Sequence, residues 1–140
     1  MNDHEVAELI FNQLRENPKS SLADILTEFN RGEVGVLSYL AFDNDKATAG
    51  ELSEKLNVST ARIASILNSL ENKEYINRKE DKKDKRKTLV FITKKGKKLA
   101  TAAKKEVLDK ITKVIKEVGH NEINEYVKIV LKIKKILNEQ

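Results

Sequence analysis

The sequence predicts a mainly α protein with a small β-hairpin, and three observations carry that expectation. From Thr48 to about Lys73, two helical patterns stand on either side of a tight break at Asn57-Val58. Directly after them, Ile76 to Ile92 reads as a hairpin whose tip is Asp81-Lys82-Lys83-Asp84-Lys85-Arg86-Lys87. Both ends of the chain carry apolar residues at helical spacing. Two helices across a short turn set the second in a DNA major groove, and a basic hairpin beside it reaches the backbone or the minor groove. The order is that of a winged helix-turn-helix with helices added at its N- and C-terminal ends.

Each element has its own signal. Val6, Leu9, Ile10 and Leu14 predict a first helix that Pro18 ends, because proline lacks the amide hydrogen a helix needs. Ser21 with Asp24 resembles a cap, and Leu22, Ile25, Leu26 and Phe29 predict a second helix. Asn30-Arg31-Gly32-Glu33 marks another start, with Leu37, Leu40 and Ala41 on one face and Tyr39 and Phe42 near its end. Asp43-Asn44-Asp45-Lys46 is a polar turn. Thr48 and Glu51 form a capping box for a short helix with Leu52 and Leu56 inward. Ser59 is the N-cap of the next, whose stripe is Ile63, Ile66, Leu67 and Leu70.

That stripe leaves Thr60, Arg62, Ser65, Asn68 and Ser69 outside. Small and hydrogen-bonding groups suit base edges, although an ordinary amphipathic helix also has a polar solvent face. Tyr75 and Ile76 open the first strand, and Leu89-Val90-Phe91-Ile92 form the return strand, expected to be buried on much of both faces. Thr93 caps a long helix carrying Leu99, Ala103, Val107, Ile111, Val114 and Val118. Gly119 breaks it, and Asn121 restarts a last helix with Ile123, Tyr126, Val127, Val130, Leu131, Ile133 and Leu137. Ile129 and Ile136 widen its apolar surface beyond one stripe, so it needs partners on more than one side, and a second copy of the chain is the expected one.

Composition narrows the function. The 140 residues suit one domain, or one domain with an appended helical module. The absence of cysteine excludes disulfides, thiolate metal sites and cysteine redox sensing. No apolar run approaches a membrane span, and Met1-Asn2-Asp3-His4-Glu5 is too acidic for a signal peptide, so a cytoplasmic protein without membrane partners is expected. The net charge of +5 hides a sharper pattern: residues 73–98 hold 12 Lys/Arg against 4 Asp/Glu, whereas residues 1–72 hold 6 against 12. A lysine run by itself reads as a solvated loop. Placed on a hairpin tip after a helix-turn-helix pattern, it reads as an electropositive face for nucleic acid. His4 and His120 lie far apart, beside a helix start and a helix break, and read as cap or surface residues, although two histidines could still join carboxylates at a zinc site of a metal-responsive regulator. With no glycine-rich phosphate loop, nucleophile elbow or metal-spaced cluster, no catalytic residue, cofactor or metal site is expected, and the chain reads as a non-enzyme.

Five fragments, in order, carry a family resemblance: Glu51-Leu52-Ser53-Glu54-Lys55-Leu56-Asn57-Val58-Ser59, Leu67-Asn68-Ser69-Leu70-Glu71, Tyr75-Ile76-Asn77-Arg78, Asp84-Lys85-Arg86 and Ile92-Thr93-Lys94-Lys95-Gly96. Together, over roughly residues 31–100, they resemble the MarR (multiple antibiotic resistance regulator) family of winged-helix transcription regulators. The chain departs from the family pattern at Lys83, where many relatives have Arg, at Glu74, where a Gly often stands, and at Pro18, which interrupts the N-terminal helix.

The resemblance implies a homodimer on a roughly palindromic double-stranded DNA operator. Residues 1–30 and 99–140 would be dimerisation helices and 31–98 the winged DNA-binding domain. It implies DNA contacts from Ser59, Thr60, Arg62, Ser65 and Asn68 on the recognition helix and from Lys83, Asp84, Lys85, Arg86 and Lys87 on the wing. Thr60, Arg62 and Ser65 would enter the major groove, with Asn68 nearer the phosphates. Arg86 would reach the minor groove, its guanidinium oriented by Asp84. Members commonly repress nearby genes and respond to a small-molecule, metal or oxidant signal; without cysteine, thiol oxidation is excluded, and a small-molecule effector acting on one dimer conformation is expected. Phe29, Tyr39 and Phe42 could line a cleft for it, although aromatics at helical spacing are more often core. The competing reading is a winged-helix oligomeric protein-interaction module that does not read DNA. The basic block and the Asp84/Arg86 pair weigh against it.

Overall fold

The chain is described over residues 1–139 in a computed structural model; Gln140, the end of the expected C-terminal helical segment, lies outside the described residues. Asn2 and Glu5 start the first helix by capping each other's amides (3.1 and 2.9 Å), and α1 (Asp3–Glu16) ends just ahead of Pro18. Ser21 and Asp24 then pair, the Ser21 amide donating to the Asp24 carboxylate at 3.0 Å. They open a five-residue 3₁₀ turn, Leu22–Leu26, where the spacing predicts an α-helix. Phe29 lies outside it. The turn packs against a later helix with Leu22, Ile25 and Leu26 half-buried, and at about three residues per turn Leu22 and Ile25 stack on one side.

α2 (Gly32–Ser38) passes into a π-helical turn, Tyr39–Asp43, and its Val36 and Leu37, with Leu40, anchor the core. The polar stretch after it contains a strand that the sequence pattern does not predict, β1 (Lys46–Thr48), in which Ala47 alone is buried. It pairs antiparallel with β3 (Thr88–Ile92), which pairs on its other side with β2 (Ile76–Glu80), so the sheet runs β1-β3-β2 rather than forming a simple hairpin. In the central strand Val90 is fully buried while Leu89, Phe91 and Ile92 are half-buried, so the burial expected on both faces is partial. Thr48 closes β1 opposite Leu89 and at the same time caps α3 (Ala49–Leu56), accepting from the Glu51 amide at 3.1 Å. The return bond of the expected capping box, from the Thr48 amide to Glu51, does not form; that residue is already part of the strand.

α4 (Thr60–Asn72) buries the expected stripe of Ile63, Ile66, Leu67 and Leu70 against Leu37, Leu52 and Ile76. Each such side chain contributes roughly 1.5–3 kcal/mol by leaving water. α5 (Lys94–Val118) begins inside this core. Thr93 caps it by accepting from the Gly96 amide, and donates to the Glu74 carbonyl at 2.8 Å. A Cβ at Gly96 would overlap the Tyr75 carbonyl oxygen and the Ile92 side chain, so the helix can approach the sheet only with glycine there. Ala100 is fully buried, and α5 runs unbroken past residue 98, so the boundary expected there falls within a helix.

Gly119, with φ +119°, is the single residue between α5 and α6 (His120–Asn138), which starts one residue earlier than the sequence suggests. Neither α1 nor α6 buries a residue within the chain. Leu9, Ile10, Phe11 and Leu14 on α1, and Val127 through Leu137 on α6, leave large apolar groups open. Among the described residues, no helix is long and apolar enough to cross a membrane.

Candidate nucleic-acid interface

The helix-turn-helix is made rigid by its turn. Asn57 takes a left-handed conformation (φ +53°), which asparagine tolerates better than most side chains. The Ser53 hydroxyl donates to the Val58 carbonyl at 2.6 Å while the Val58 amide returns to the Ser53 carbonyl at 3.0 Å. Ser59 then caps α4, its hydroxyl accepting from the Arg62 amide at 3.1 Å. Ser59 thus has a structural duty, and its hydroxyl hydrogen is left over for a ligand.

Ser59, Thr60, Arg62, Ser65 and Asn68 are all exposed. Helical geometry spreads them: Thr60 and Arg62 lie about 160° apart around the axis, so they flank the outer face rather than share it. Ala61, Ser65 and Asn68 occupy its centre. Ala61 was not singled out in the sequence, yet a small exposed residue there lets the backbone approach a groove closely and can meet a thymine methyl. Arg62 faces a groove of about 400 Å³ that it lines with Arg31, Asn57 and Val58, bringing a second arginine, also unforeseen, to the same edge.

Two charged networks fasten this helix. On the α2 side, Glu33 accepts from the Ser69 hydroxyl and from Lys73 Nζ, the latter at 3.0 Å to each carboxylate oxygen. The Ser69 hydroxyl, followed by the Lys73 hydrogen bond and charge, holds the Glu33 carboxyl below the usual carboxylate range, against the opposing effect of partial burial. Ser69 is therefore committed inside the protein instead of lying free on the outer face. On the wing side, Arg78 of β2 donates to Glu71 and to Asn68. Its hydrogen bonds and charge lower the Glu71 carboxyl as well. Asn68 is consequently engaged on one side. Arg78 was visible in the sequence only as part of a family fragment.

The wing tip is ordered by its own aspartates. Asp81 accepts from the Lys83 amide at 2.9 Å, and Asp84 accepts from the Arg86 amide at 3.1 Å and from Arg86 Nε at 3.3 Å. The Asp81 amide donates to the Lys87 carbonyl, closing the loop. Lys83, Lys85, Arg86 and Lys87 stay exposed, the Arg86 side chain at 92%. A long cationic side chain fully in solvent, yet tethered at its root, is suited to entering a narrow anionic groove. At the wing's base, Glu74 adopts φ +64°, a backbone conformation that favours glycine.

Away from this face, an apolar cavity of about 340 Å³ lies between the 3₁₀ turn, α5 and α6, walled by Leu22, Ile25, Val114, Val118, Ile123 and Tyr126, with Glu122 also lining it. The three aromatics considered for a ligand cleft are elsewhere. Phe29 stacks on Phe42 at 6.4 Å, Lys104 lies 4.6 Å from the Phe42 ring centroid, and Tyr39 packs on the core. Among the described residues, no group of three or more histidines and carboxylates is placed to hold a metal ion.

Comparison with known proteins places this arrangement. The winged helix DNA-binding domain family matches residues 33–112. No curated protein matches the sequence. Among solved structures, a MarR family protein from Bacillus stearothermophilus superposes with a TM-score of 0.70 at 20% identity, covering 99% of each chain. Streptococcus pneumoniae FabT, in complex with DNA, gives 0.67 at 20% identity over 98% of this chain and 99% of its own. A transcriptional regulator from Thermotoga maritima gives 0.58 at 20% identity over 96% of both. At such identities the likeness is one of fold, and it extends through the terminal helices.

Proposed function

Because this chain belongs to the winged helix DNA-binding domain family and has the fold of MarR regulators, we propose that it is a sequence-specific transcription repressor. It acts as a homodimer on a pseudo-palindromic double-stranded operator and is released by a small-molecule effector. The observation that supports this reading most is the pairing of an exposed, small and polar helix face with a wing tip whose Arg86 is tethered by Asp84 and otherwise open. Thr60, Arg62 and Ser65 read base edges while Lys83, Lys85, Arg86 and Lys87 neutralise phosphates or occupy the minor groove. FabT, of similar fold, was solved with DNA bound. The open apolar faces of α1 and α6 support the dimer, since an interface built from them would bury on the order of 2,000 Å². The cavity between the 3₁₀ turn, α5 and α6 has the size and apolar walls of a small-molecule site and adjoins those faces, which supports effector control.

The test is a salt titration on a duplex selected from random DNA and on a scrambled one. A dimer neutralising about eight to twelve phosphates gives a log K against log salt slope near −7 to −11. Arg86→Ala should cost roughly 1–3 kcal/mol on both duplexes and flatten the slope by about two, one contact per subunit. Ser65→Ala should alter sequence preference with the slope intact. An unchanged affinity and slope for Arg86→Ala removes the wing from the mechanism. Failure of the wild type to select any duplex removes DNA recognition altogether.

A further inference from the structure

Arg78 stands outside every DNA contact assigned to this chain so far, yet its guanidinium bridges the recognition helix and the wing. Nη2 donates to Asn68 Oδ1 at 2.7 Å and to Glu71 Oε1 at 3.1 Å, while Nε donates to Glu71 Oε2 at 3.2 Å. A guanidinium has donors only, so the Asn68 atom that faces it must be the carbonyl oxygen. The amide nitrogen of Asn68 is then turned the opposite way. Asn68 is exposed and sits at the centre of the outer face of α4, one turn from Ser65, so its two N–H bonds are presented to whatever that face meets. Without Arg78 the amide could rotate by 180° and offer either end.

We propose that Arg78 is a positioning residue for DNA binding: it holds Asn68 as a dedicated hydrogen-bond donor toward an acceptor on the DNA, a phosphate oxygen or a base acceptor. The inference rests on the DNA-binding function proposed for the chain. Glu71 is what makes the device stiff. Its two oxygens accept from Nε and Nη2 along one edge of the guanidinium, fixing the plane in which the second Nη2 hydrogen reaches Asn68. The chemistry also explains why lysine would serve poorly at this position, since one ammonium cannot hold that planar geometry.

A double-mutant cycle on the full-length chain tests it, with binding measured by fluorescence anisotropy on the wild-type-selected duplex and on a scrambled one. Asn68→Ala should weaken binding about tenfold, as loss of a hydrogen bond to a charged or strongly polar acceptor does. Arg78→Ala should weaken it by a similar factor although Asn68 remains. The double variant should be weaker than either single by no more than about twofold, because both remove the same contact. Arg78→Lys should restore only part of the loss, and it replaces Arg78→Ala in the cycle if thermal unfolding shows that the alanine variant is not folded. A loss shared by both duplexes identifies a phosphate acceptor, and a loss confined to the selected one a base acceptor. Factors that multiply in the double variant, or an Asn68→Ala chain that binds like wild type, overturn the inference while leaving the DNA-binding reading standing. A wild type that selects no duplex overturns both.

Discussion

The recognition helix and the last helix are built on opposite terms. α4 buries four aliphatic side chains in its own chain, is capped by Ser59, and is held from two sides by Glu33 and Arg78. α6 is longer and richer in aliphatic residues, yet buries none of them, and from Val127 onward every described residue is exposed. α4 is finished by local and tertiary contacts inside one molecule. α6 is finished only when something covers it. The lesson is that this chain contains one self-sufficient unit, centred on the sheet and α4, and one incomplete unit made of its two ends.

The sharpest way to break that contrast is at α6. Ile129→Glu combined with Ile133→Glu, one turn apart on an open stripe, should convert a dimer to monomers in sedimentation velocity. Each buried isoleucine contributes about 1.5–3 kcal/mol and each is used twice in a symmetric dimer, so about 6–12 kcal/mol of association is at stake. The sheet and α4 should keep their fold, visible as a retained cooperative melt. A wild type that already sediments as a soluble monomer would sink the idea.

On the self-sufficient side, Gly96→Ala should destabilise by about 3 kcal/mol in urea titration, because the added methyl meets the Tyr75 backbone, which cannot step aside as a side chain would. A loss of less than about 1 kcal/mol would mean that α5 is not pinned to the sheet by this close approach.

A gentler probe uses pH. The folded-state carboxyl of Glu33 is lowered from 4.5, first by the Ser69 hydroxyl and then by Lys73. A depressed carboxylate contributes stability that is fully present above its unfolded value and is lost as pH falls through the folded one. The difference in Tm between wild type and Glu33→Gln should therefore be constant near neutrality and shrink below about pH 4.5. A difference that is the same at pH 7 and pH 3 would show that the bracing of α4 by Glu33 is not electrostatic. The smallest effect expected is a gain: Glu74→Gly should raise stability by about 0.5 kcal/mol, since the relief of a left-handed φ outweighs the extra freedom of the unfolded glycine. A loss instead would mean that the Glu74 side chain contributes more there than its backbone costs.

What could be read in advance tracked the range of the forces involved. The caps by Ser59 and Thr93 and the tether by Asp84 each span three residues or fewer, so all three could be anticipated from the residues or the family resemblance. β1 could not, because three residues with one buried alanine carry no pattern of their own; they are a strand only because β3 offers them an edge. Likewise Arg78 gains its meaning when β2 folds back along α4, joining residues seven and ten positions away. The one available hint was an arginine opening the wing after a helix that ends in an amide and an acid. Ser69 failed in the other direction: its place on the helical wheel looked free until α2 brought Glu33 to it.

The single glycine between α5 and α6 has a mechanical meaning. α5 is 25 residues long, about 37 Å, with its first turns locked into the core by Gly96 and Ala100 and its far end passing directly into α6 through Gly119. In the proposed dimer it is a lever with one end clamped in the winged domain and the other in the joint between copies. A tilt of about 5° at the joint displaces the reading head by about 3 Å, as much as the length of a hydrogen bond. In the proposed operator complex, two heads set to grooves about 34 Å apart would not both follow such a displacement. The effector proposed for the cavity beside Val118 and Ile123, at the fulcrum, would need to open that angle only slightly to spoil the fit at a distance.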